Sequence, residues 1–174
     1  MLAQFFSIDK PAMEFNNKLI DSIREELVKR NENIAVAESV TAGFLQAALA
    51  SAEGAMQFFE GGLTAYNIDQ KTKLLHIDRQ LGEACNCVSA QIAAQMAKGA
   101  VQLFNSHWGL AVTGYATPVE ESGFEMYAFY AISKGTEIVG SARINLHDAK
   151  GEDAQQVYVN RILEAFIEAL HVTS

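Results

Sequence analysis

Helical and strand patterns alternate along most of this chain, and two adjoining strand patterns follow. Apolar residues recur at helical spacing in some segments and form short continuous or alternating runs in others. The predicted helices cover residues 14–30, 41–51, 69–75, 90–104 and 154–170. The predicted strands cover residues 34–37, 63–66, 108–113, 124–133 and 137–146. This order predicts an α/β fold, a three-layer α/β/α sandwich with a mixed β-sheet.

Local residues mark several ends of these segments. Ser89 is a good N-cap for the helix that follows it, and Gly61-Gly62 permits a sharp turn before the next strand. Lys134-Gly135 joins the last two strands as a hairpin. The first of those two strands is apolar on both faces and should be central. The second alternates and should lie nearer an edge.

Length and composition fit one globular domain. The chain has 174 residues, of which 49% are hydrophobic and 20% charged, and this is enough to bury a single core. We expect residues 1–13 to be an N-terminal extension and residues 14–174 to form one domain. The net charge of −8 argues against nucleic acid and anionic membranes as partners, because both require a basic face.

Nothing in the sequence indicates export or a metal site. No apolar run approaches the ~20 residues that span a bilayer, and the N-terminus lacks the basic start and cleavage site of a signal peptide. Cys85 and Cys87 lie two positions apart and are too few for a zinc site. The four histidines are scattered without metal-ligand spacing. We therefore expect a cytoplasmic protein with reduced thiols and no metal.

Three predicted strands end in segments that carry functional groups. Ligands of α/β sheets collect beyond the carboxyl ends of the strands. Ser39 follows the first strand, Tyr66 and Lys71 follow the second, and Thr113-Gly114 ends the third. Ser39 is either a nucleophile backed by helix N-terminal amides or only a helix cap. Lys71 is either its base or a solvated surface lysine, and Thr113-Gly114 is either part of a site or an ordinary turn.

A lysine that acts as a base requires a lowered pKa. The pKa of a free lysine is about 10.4, so only about one in a thousand is neutral at pH 7.5. Burial, or the positive end of a nearby helix, lowers that pKa. Lys71 is therefore a credible base for Ser39 only if the fold buries it or places it near the positive end of a helix.

Four motifs, in this order, resemble the CinA C-terminal domain family. They are Ala37-Glu38-Ser39 with Thr41 and Gly43; Gly61-Gly62 with Tyr66, Lys71 and Leu74-Leu75; Val88-Ser89; and Ala111-Val112-Thr113-Gly114. The characterised members of this family are nicotinamide mononucleotide amidohydrolases that use a serine and a lysine. The resemblance implies that Ser39 is the nucleophile, that Lys71 is its base and that Tyr66 orients or assists. No cofactor is implied, because the serine carries the covalent step.

The same resemblance implies the residues that contact substrate. These are Thr41, Gly43, Gly62, Thr113 and Gly114. The implied substrate is a small-molecule amide, nicotinamide mononucleotide. We also expect the protein to form a homo-oligomer.

Several positions depart from the family pattern. After Thr-Gly the family continues into a glycine-rich loop, whereas this chain has Tyr-Ala-Thr-Pro-Val-Glu-Glu-Ser-Gly at residues 115–123. The family's Gly-Asp-Arg before the last helix is Gly151-Glu152-Asp153 here, and a glycine of the first motif is Ala42. Two added carboxylates and a lost arginine disfavour a bound phosphate.

The sequence leaves three functions open. The first is hydrolysis of nicotinamide mononucleotide, with Arg143 or Arg161 as the candidates to replace the missing arginine. The second is a serine/lysine amidohydrolase that acts on a different, less anionic amide. The third is a diverged binding or assembly protein without catalytic activity.

Overall fold

Five strands form one sheet in the computed structural model, which describes residues 15–173. The strands are β1 (Ile34–Glu38), β2 (Phe59–Thr64), β3 (Trp108–Gly114), β4 (Met126–Lys134) and β5 (Glu137–Leu146). The helices are α1 (Asn17–Arg30), α2 (Phe44–Ala50), α3 (Ile68–Leu75), α4 (Arg79–Ala84), α5 (Ala90–Phe104) and α6 (Glu152–Val172). The extension predicted for residues 1–13 lies outside the described residues.

The sheet is mixed, as predicted. Its strand order is β2-β1-β3-β4-β5, in which β1 is parallel to both β2 and β3. The hairpin strands β4 and β5 are antiparallel, and β4 is also antiparallel to β3. The alternating strand β5 lies at an edge and the more apolar β4 lies inside the sheet, which confirms both expectations.

The two faces of the sheet carry side chains of different size. On one face, large apolar residues of the strands pack against α1, α2 and α6. On the other, the strand residues are mostly alanines that pack against α5. Small residues let this helix approach closely: a Cβ on Gly109 would lie 2.2 Å from the Ala97 carbonyl oxygen. Helices therefore cover both faces and complete the predicted three-layer sandwich.

Gly61 and Gly62 do not form the sharp turn that the sequence predicts. Both lie inside β2, which begins at Phe59. Gly61 has a φ of 143°, a backbone conformation that favours glycine. It pairs with Ala35, and the register between β1 and β2 shifts just before this pair. Gly62 is needed for space, since an added Cβ would lie 2.5 Å from Val36 Cγ2. The two glycines thus permit an irregular, close-packed strand.

Two further findings concern the helices. The short helix α4 was not predicted, and Asp78 caps it by accepting a hydrogen bond from the Leu81 amide. In the part of the chain that the structure describes, no helix combines the length and the apolar character that crossing a bilayer requires.

Gly62→Ala should lower the free energy of unfolding by about 1–3 kcal/mol, because the new methyl group overpacks the contact with β1. Urea-induced unfolding measures this change. Gly140→Ala is the matched control: its added Cβ meets the tip of Ile132 at 3.2 Å, and stability should change by less than about 1 kcal/mol. Equal effects of the two substitutions would contradict the packing argument.

Candidate active site

A cavity of about 820 Å³ lies at the carboxyl ends of the three parallel strands. Ser39 directly follows β1, Tyr66 lies two residues beyond β2, and Gly114 ends β3; all three line the cavity. The chain leaves β1 towards β2 on one side, and β3 lies on the other. A crevice at such a change of strand direction is the usual ligand site of an open α/β sheet.

Ser39 and Lys71 meet at the bottom of this cavity. Lys71 Nζ lies 2.9 Å from Ser39 Oγ and donates a second hydrogen bond, 2.7 Å long, to the Ala65 carbonyl oxygen. Only 2% of Lys71 is exposed, and 8% of Ser39. The lysine reaches the serine because the first turns of α3 follow the end of β2, beside the end of β1. The structure therefore brings together the pair that the sequence singled out.

The surroundings of Lys71 favour its neutral form. Burial lowers the pKa of its amine, and the nearby Cys87 thiol acts in the opposite direction. Both oxygens that Lys71 contacts belong to uncharged groups, a hydroxyl and a carbonyl. A buried amine with neutral partners loses its proton more readily than a solvated lysine.

Glu38 organises the turn that presents Ser39, a role that the sequence analysis missed. Its side chain is fully buried. Its carboxylate accepts hydrogen bonds from Thr41 Oγ1 (2.6 Å) and from the backbone amides of Gly43 (3.2 Å), Leu45 (2.9 Å) and Gln46 (2.9 Å). The available signal was a glutamate at the end of an otherwise apolar strand, directly before a helix.

This arrangement corrects the expected source of oxyanion donors. The first amides of α2 were expected to back Ser39, but Glu38 occupies those of Gly43, Leu45 and Gln46. Between residues 15 and 173, no acceptor binds the N–H groups of Val40 and Thr41. Serine hydrolases commonly use the amide of the residue after the nucleophile as an oxyanion donor. Here that residue is Val40.

The other predicted site residues fall into two groups. Tyr66 is 74% exposed at the cavity mouth, and Thr113 and Gly114 form part of the cavity wall. By contrast, Thr41, Gly43 and Gly62 do not line the cavity: Thr41 and Gly43 bind Glu38, and Gly62 packs against Val36. Substrate contact by all of these residues stays a prediction.

The segment between α4 and α5 forms a wall of the cavity, a role that the sequence analysis did not assign to it. Asn86 and Cys87 line the cavity and adopt positive φ angles of 49° and 58°. The Cys87 carbonyl oxygen accepts a hydrogen bond from Thr113 Oγ1 (2.8 Å), which joins this wall to β3. Burial raises the pKa of the Cys87 thiol, and the Lys71 amine opposes that shift.

Within the described residues, no group of three or more histidine, cysteine or acidic side chains is placed to hold a metal ion.

The fold and the cavity define an α/β domain with a serine–lysine pair at the carboxyl edge of its sheet. A family model described as the CinA C-terminal domain matches residues 16–169. The chain therefore belongs to the CinA C-terminal domain family, as the sequence motifs predicted.

Two of the curated relatives come from streptococci and are named as competence-damage inducible proteins. One from Streptococcus agalactiae serotype III (strain NEM316) is 32% identical over 142 residues, which are 82% of this chain and 34% of the relative. One from Streptococcus pneumoniae (strain Hungary19A-6) is 30% identical over 155 residues, 87% of this chain and 36% of the relative. The chain spans about a third of the length of these relatives.

Solved structures confirm the fold. A competence or damage-inducible protein from Enterobacter asburiae superposes with a TM-score of 0.84 at 22% identity, covering 91% of this chain and 99% of that one. A CinA superfamily protein from Escherichia coli gives a TM-score of 0.82 at 24% identity, covering 94% and 99%. At such identities the likeness establishes the architecture alone.

Ala42 stores backbone strain in the turn after Ser39. Its φ is 52°, and Gly43 after it has a φ of 108°. A side-chained residue in the left-handed region costs about 1–2 kcal/mol. The glycine that the family pattern has at this position would adopt the same backbone without that strain.

Ala42→Gly should therefore raise the free energy of unfolding by about 0.5–1 kcal/mol, after the greater freedom of glycine in the unfolded chain is subtracted. Ala47→Gly is the matched control, because Ala47 is also exposed but lies inside α2. It should lower stability by about 1 kcal/mol. Urea unfolding of both variants measures whether the free energy of unfolding rises in Ala42→Gly and falls in Ala47→Gly. A lower free energy of unfolding in Ala42→Gly would show that the turn is unstrained.

Proposed function

We propose that this chain is an amidohydrolase of the nicotinamide mononucleotide deamidase type, with Ser39 as nucleophile and Lys71 as general base. One observation carries the proposal: Lys71 Nζ lies 2.9 Å from Ser39 Oγ while its burial favours the neutral amine. A serine hydroxyl is a weak nucleophile until a neighbouring base removes its proton. Catalysis by this pair accounts for a buried lysine that contacts a serine and has no carboxylate partner among the described residues.

The first half-reaction forms an acyl-enzyme and releases ammonia. Neutral Lys71 takes the Ser39 proton as Oγ attacks the carboxamide carbon, and the carbonyl oxygen becomes an oxyanion. The Ala65 carbonyl accepts one N–H of Lys71 and so directs the lone pair towards the serine. The Val40 N–H, which has no acceptor among residues 15–173, is the candidate donor to the oxyanion. When the tetrahedral intermediate breaks down, the C–N bond is broken and the Lys71 ammonium protonates the departing amine, which leaves as ammonia.

The second half-reaction regenerates the serine. Neutral Lys71 removes a proton from water, which attacks the ester carbon of the acyl-enzyme. The C–Oγ bond then breaks, Ser39 recovers its proton from Lys71, and the carboxylic acid leaves. The overall reaction converts an amide and water into an acid and ammonia. The family resemblance implies nicotinamide mononucleotide as the amide.

Ser39→Ala should lower kcat for ammonia release on the order of 10⁶-fold, the loss seen when a serine hydrolase loses its nucleophile. A fluorophosphonate probe followed by mass spectrometry should label Ser39 in the wild-type protein and leave the variant unlabelled. Ser51→Ala is the matched control, because the Ser51 hydroxyl lies at the C-terminal end of α2, where it donates a hydrogen bond to the Ala48 carbonyl oxygen. Near wild-type turnover in Ser39→Ala would refute the assigned nucleophile.

Lys71→Arg should lower kcat/KM by about 10²–10⁴-fold, the usual contribution of a general base, because arginine keeps the charge and cannot lose its proton. Activity of the wild-type protein should rise with pH through the lowered pKa of Lys71. Lys73→Arg, on the same helix but exposed, should keep both the rate and the profile. A flat profile from pH 6 to 10 would exclude lysine as the base.

The same pKa shift gives a readout in stability. A lysine with a lowered pKa binds fewer protons in the folded state than in the unfolded state, so the free energy of unfolding rises with pH between the lowered and the ordinary value. Lys71→Met removes the titrating group and should flatten this rise. An unchanged slope in Lys71→Met would mean that another group causes it.

Failure of every amide tested, together with an unlabelled Ser39, would favour the non-catalytic binding protein. Labelled Ser39 without turnover would instead point to a substrate outside the tested amides. The probe and the ammonia assay together therefore separate a missing nucleophile from a wrong substrate.

A further inference from the structure

The charges around the cavity are unequal in sign. Lys71 is the one basic residue among the described residues that line it, and it is buried at the cavity floor, where the neutral amine is favoured. Three carboxylates also line the cavity, those of Glu83, Glu121 and Glu152. Glu121 is exposed at the mouth, where an entering substrate would meet it.

None of the candidate arginines lines the cavity. Arg143 lies over the Tyr127 ring at 3.9 Å and donates to Glu125 (3.0 Å). Arg161 donates to Glu164 (3.1 Å) on α6. Both candidates for the missing arginine are therefore engaged away from the cavity.

Arg79, on the helix α4 that also carries the lining residues Gly82 and Glu83, already has acidic partners. Arg79 binds Asp69 and Glu83, so its charge is compensated by two carboxylates. A phosphate would have to compete with both of them. The guanidinium geometry that recognises phosphate is thus absent from the described cavity wall.

The N-terminus of α6 reaches the cavity through Gly151 and Glu152. Helix N-termini favour anions, but the first turn of α6 carries Glu152 and Asp153. These carboxylates complement the helix dipole with charges of the protein itself.

Two aromatic side chains lie at the mouth beside these carboxylates. Tyr66 and Tyr115 line it, and Asn86 Nδ2 donates to the Tyr115 hydroxyl (3.0 Å), which fixes one ring. Aromatic faces and carboxylates both attract cations. The cavity mouth therefore suits a ligand whose planar ring is uncharged or positively charged.

We infer that this cavity takes a carboxamide without a phosphate group, uncharged or cationic, and selects against the phosphorylated amide. The inference rests on the proposed function, since the amide is the bond that Ser39 would attack. It departs from the substrate that the family resemblance implies. The lost glycine-rich loop and arginine, the engaged arginines and the acidic mouth all favour it.

Three compounds with the same scissile carboxamide test the inference. Nicotinamide mononucleotide carries a phosphate, nicotinamide riboside keeps the cationic ring without it, and nicotinamide is neutral. At low ionic strength, kcat/KM for ammonia release from the riboside should exceed that from the mononucleotide by about tenfold or more, a difference of about 1.4 kcal/mol. Added salt should narrow the ratio, because screening weakens the repulsion.

Glu121→Gln tests the acidic mouth directly. Removing this charge should raise kcat/KM for the mononucleotide relative to the riboside by about threefold or more, a change of about 0.7 kcal/mol. Glu137→Gln makes the same change of charge on exposed Glu137 at the start of β5, outside the cavity. The ratio should stay unchanged in this control.

Binding gives a second readout that does not require turnover. Titration calorimetry of Ser39→Ala with the three compounds should show the mononucleotide as the weaker ligand than the riboside. Equal or tighter binding of the mononucleotide, or no binding of either phosphate-free amide at millimolar concentration, would overturn the inference. Ser39-dependent turnover that prefers the mononucleotide would overturn it and leave the proposed function standing. Absence of turnover with an unlabelled Ser39 would overturn the proposed function, and the binding order would still decide the inference.

Discussion

The buried carboxylate of Glu38 is the interaction on which the candidate site depends. A carboxylate without water is strongly unfavourable unless donors surround it. Three amides of the α2 N-terminus and the Thr41 hydroxyl supply those donors, and the helix dipole adds to them. The end of β1 is thereby tied to the first turn of α2. Ser39 lies in the short connection between the two and has little freedom to move.

The same interaction decides which backbone donors remain available. Because Glu38 satisfies the first amides of α2, a developing oxyanion must use others. The N–H groups of Val40 and Thr41, without acceptors in the described chain, lie in the residues directly after Ser39. One buried carboxylate thus holds the nucleophile and restricts the source of its stabilising donors.

Lys71 shows the opposite treatment of a buried ionisable group. Glu38 is surrounded by donors, whereas the hydrogen bonds of Lys71 within the described residues go to a hydroxyl and a carbonyl oxygen. This arrangement lowers the stability of the charged folded form and favours the neutral amine. Departures from the rules of stable packing occur mainly at functional sites. Ala42, with its strained backbone in the adjoining turn, is a second such departure.

Much of the fold follows from local pattern. The helix after Ser89 has the predicted bounds, and the Ser89 hydroxyl oxygen accepts a hydrogen bond from the Ile92 amide; β5 also has its predicted bounds. The helix has an N-cap residue and apolar residues at helical spacing, and the strand has alternating apolar and polar residues, so neighbouring residues alone indicate both elements. The prediction was wrong at Gly61 and Gly62, because a pair of glycines is compatible both with a turn and with a closely packed strand. Here they lie in β2, where Gly62 packs against Val36.

What the sequence determined by itself was the set of chemical groups and their local settings. Ser39 follows a strand, Lys71 lies in the first turn of a helix, and the glycine-rich loop of the family is absent; each statement needs only neighbouring residues. Only the tertiary structure decided that Ser39 and Lys71, 32 positions apart, are in contact, that Thr41 faces Glu38, and that Arg143 is engaged elsewhere. The physical reason is that periodicity and capping act over a few residues, whereas distances across the sheet edge depend on strand order and on how closely the helices pack.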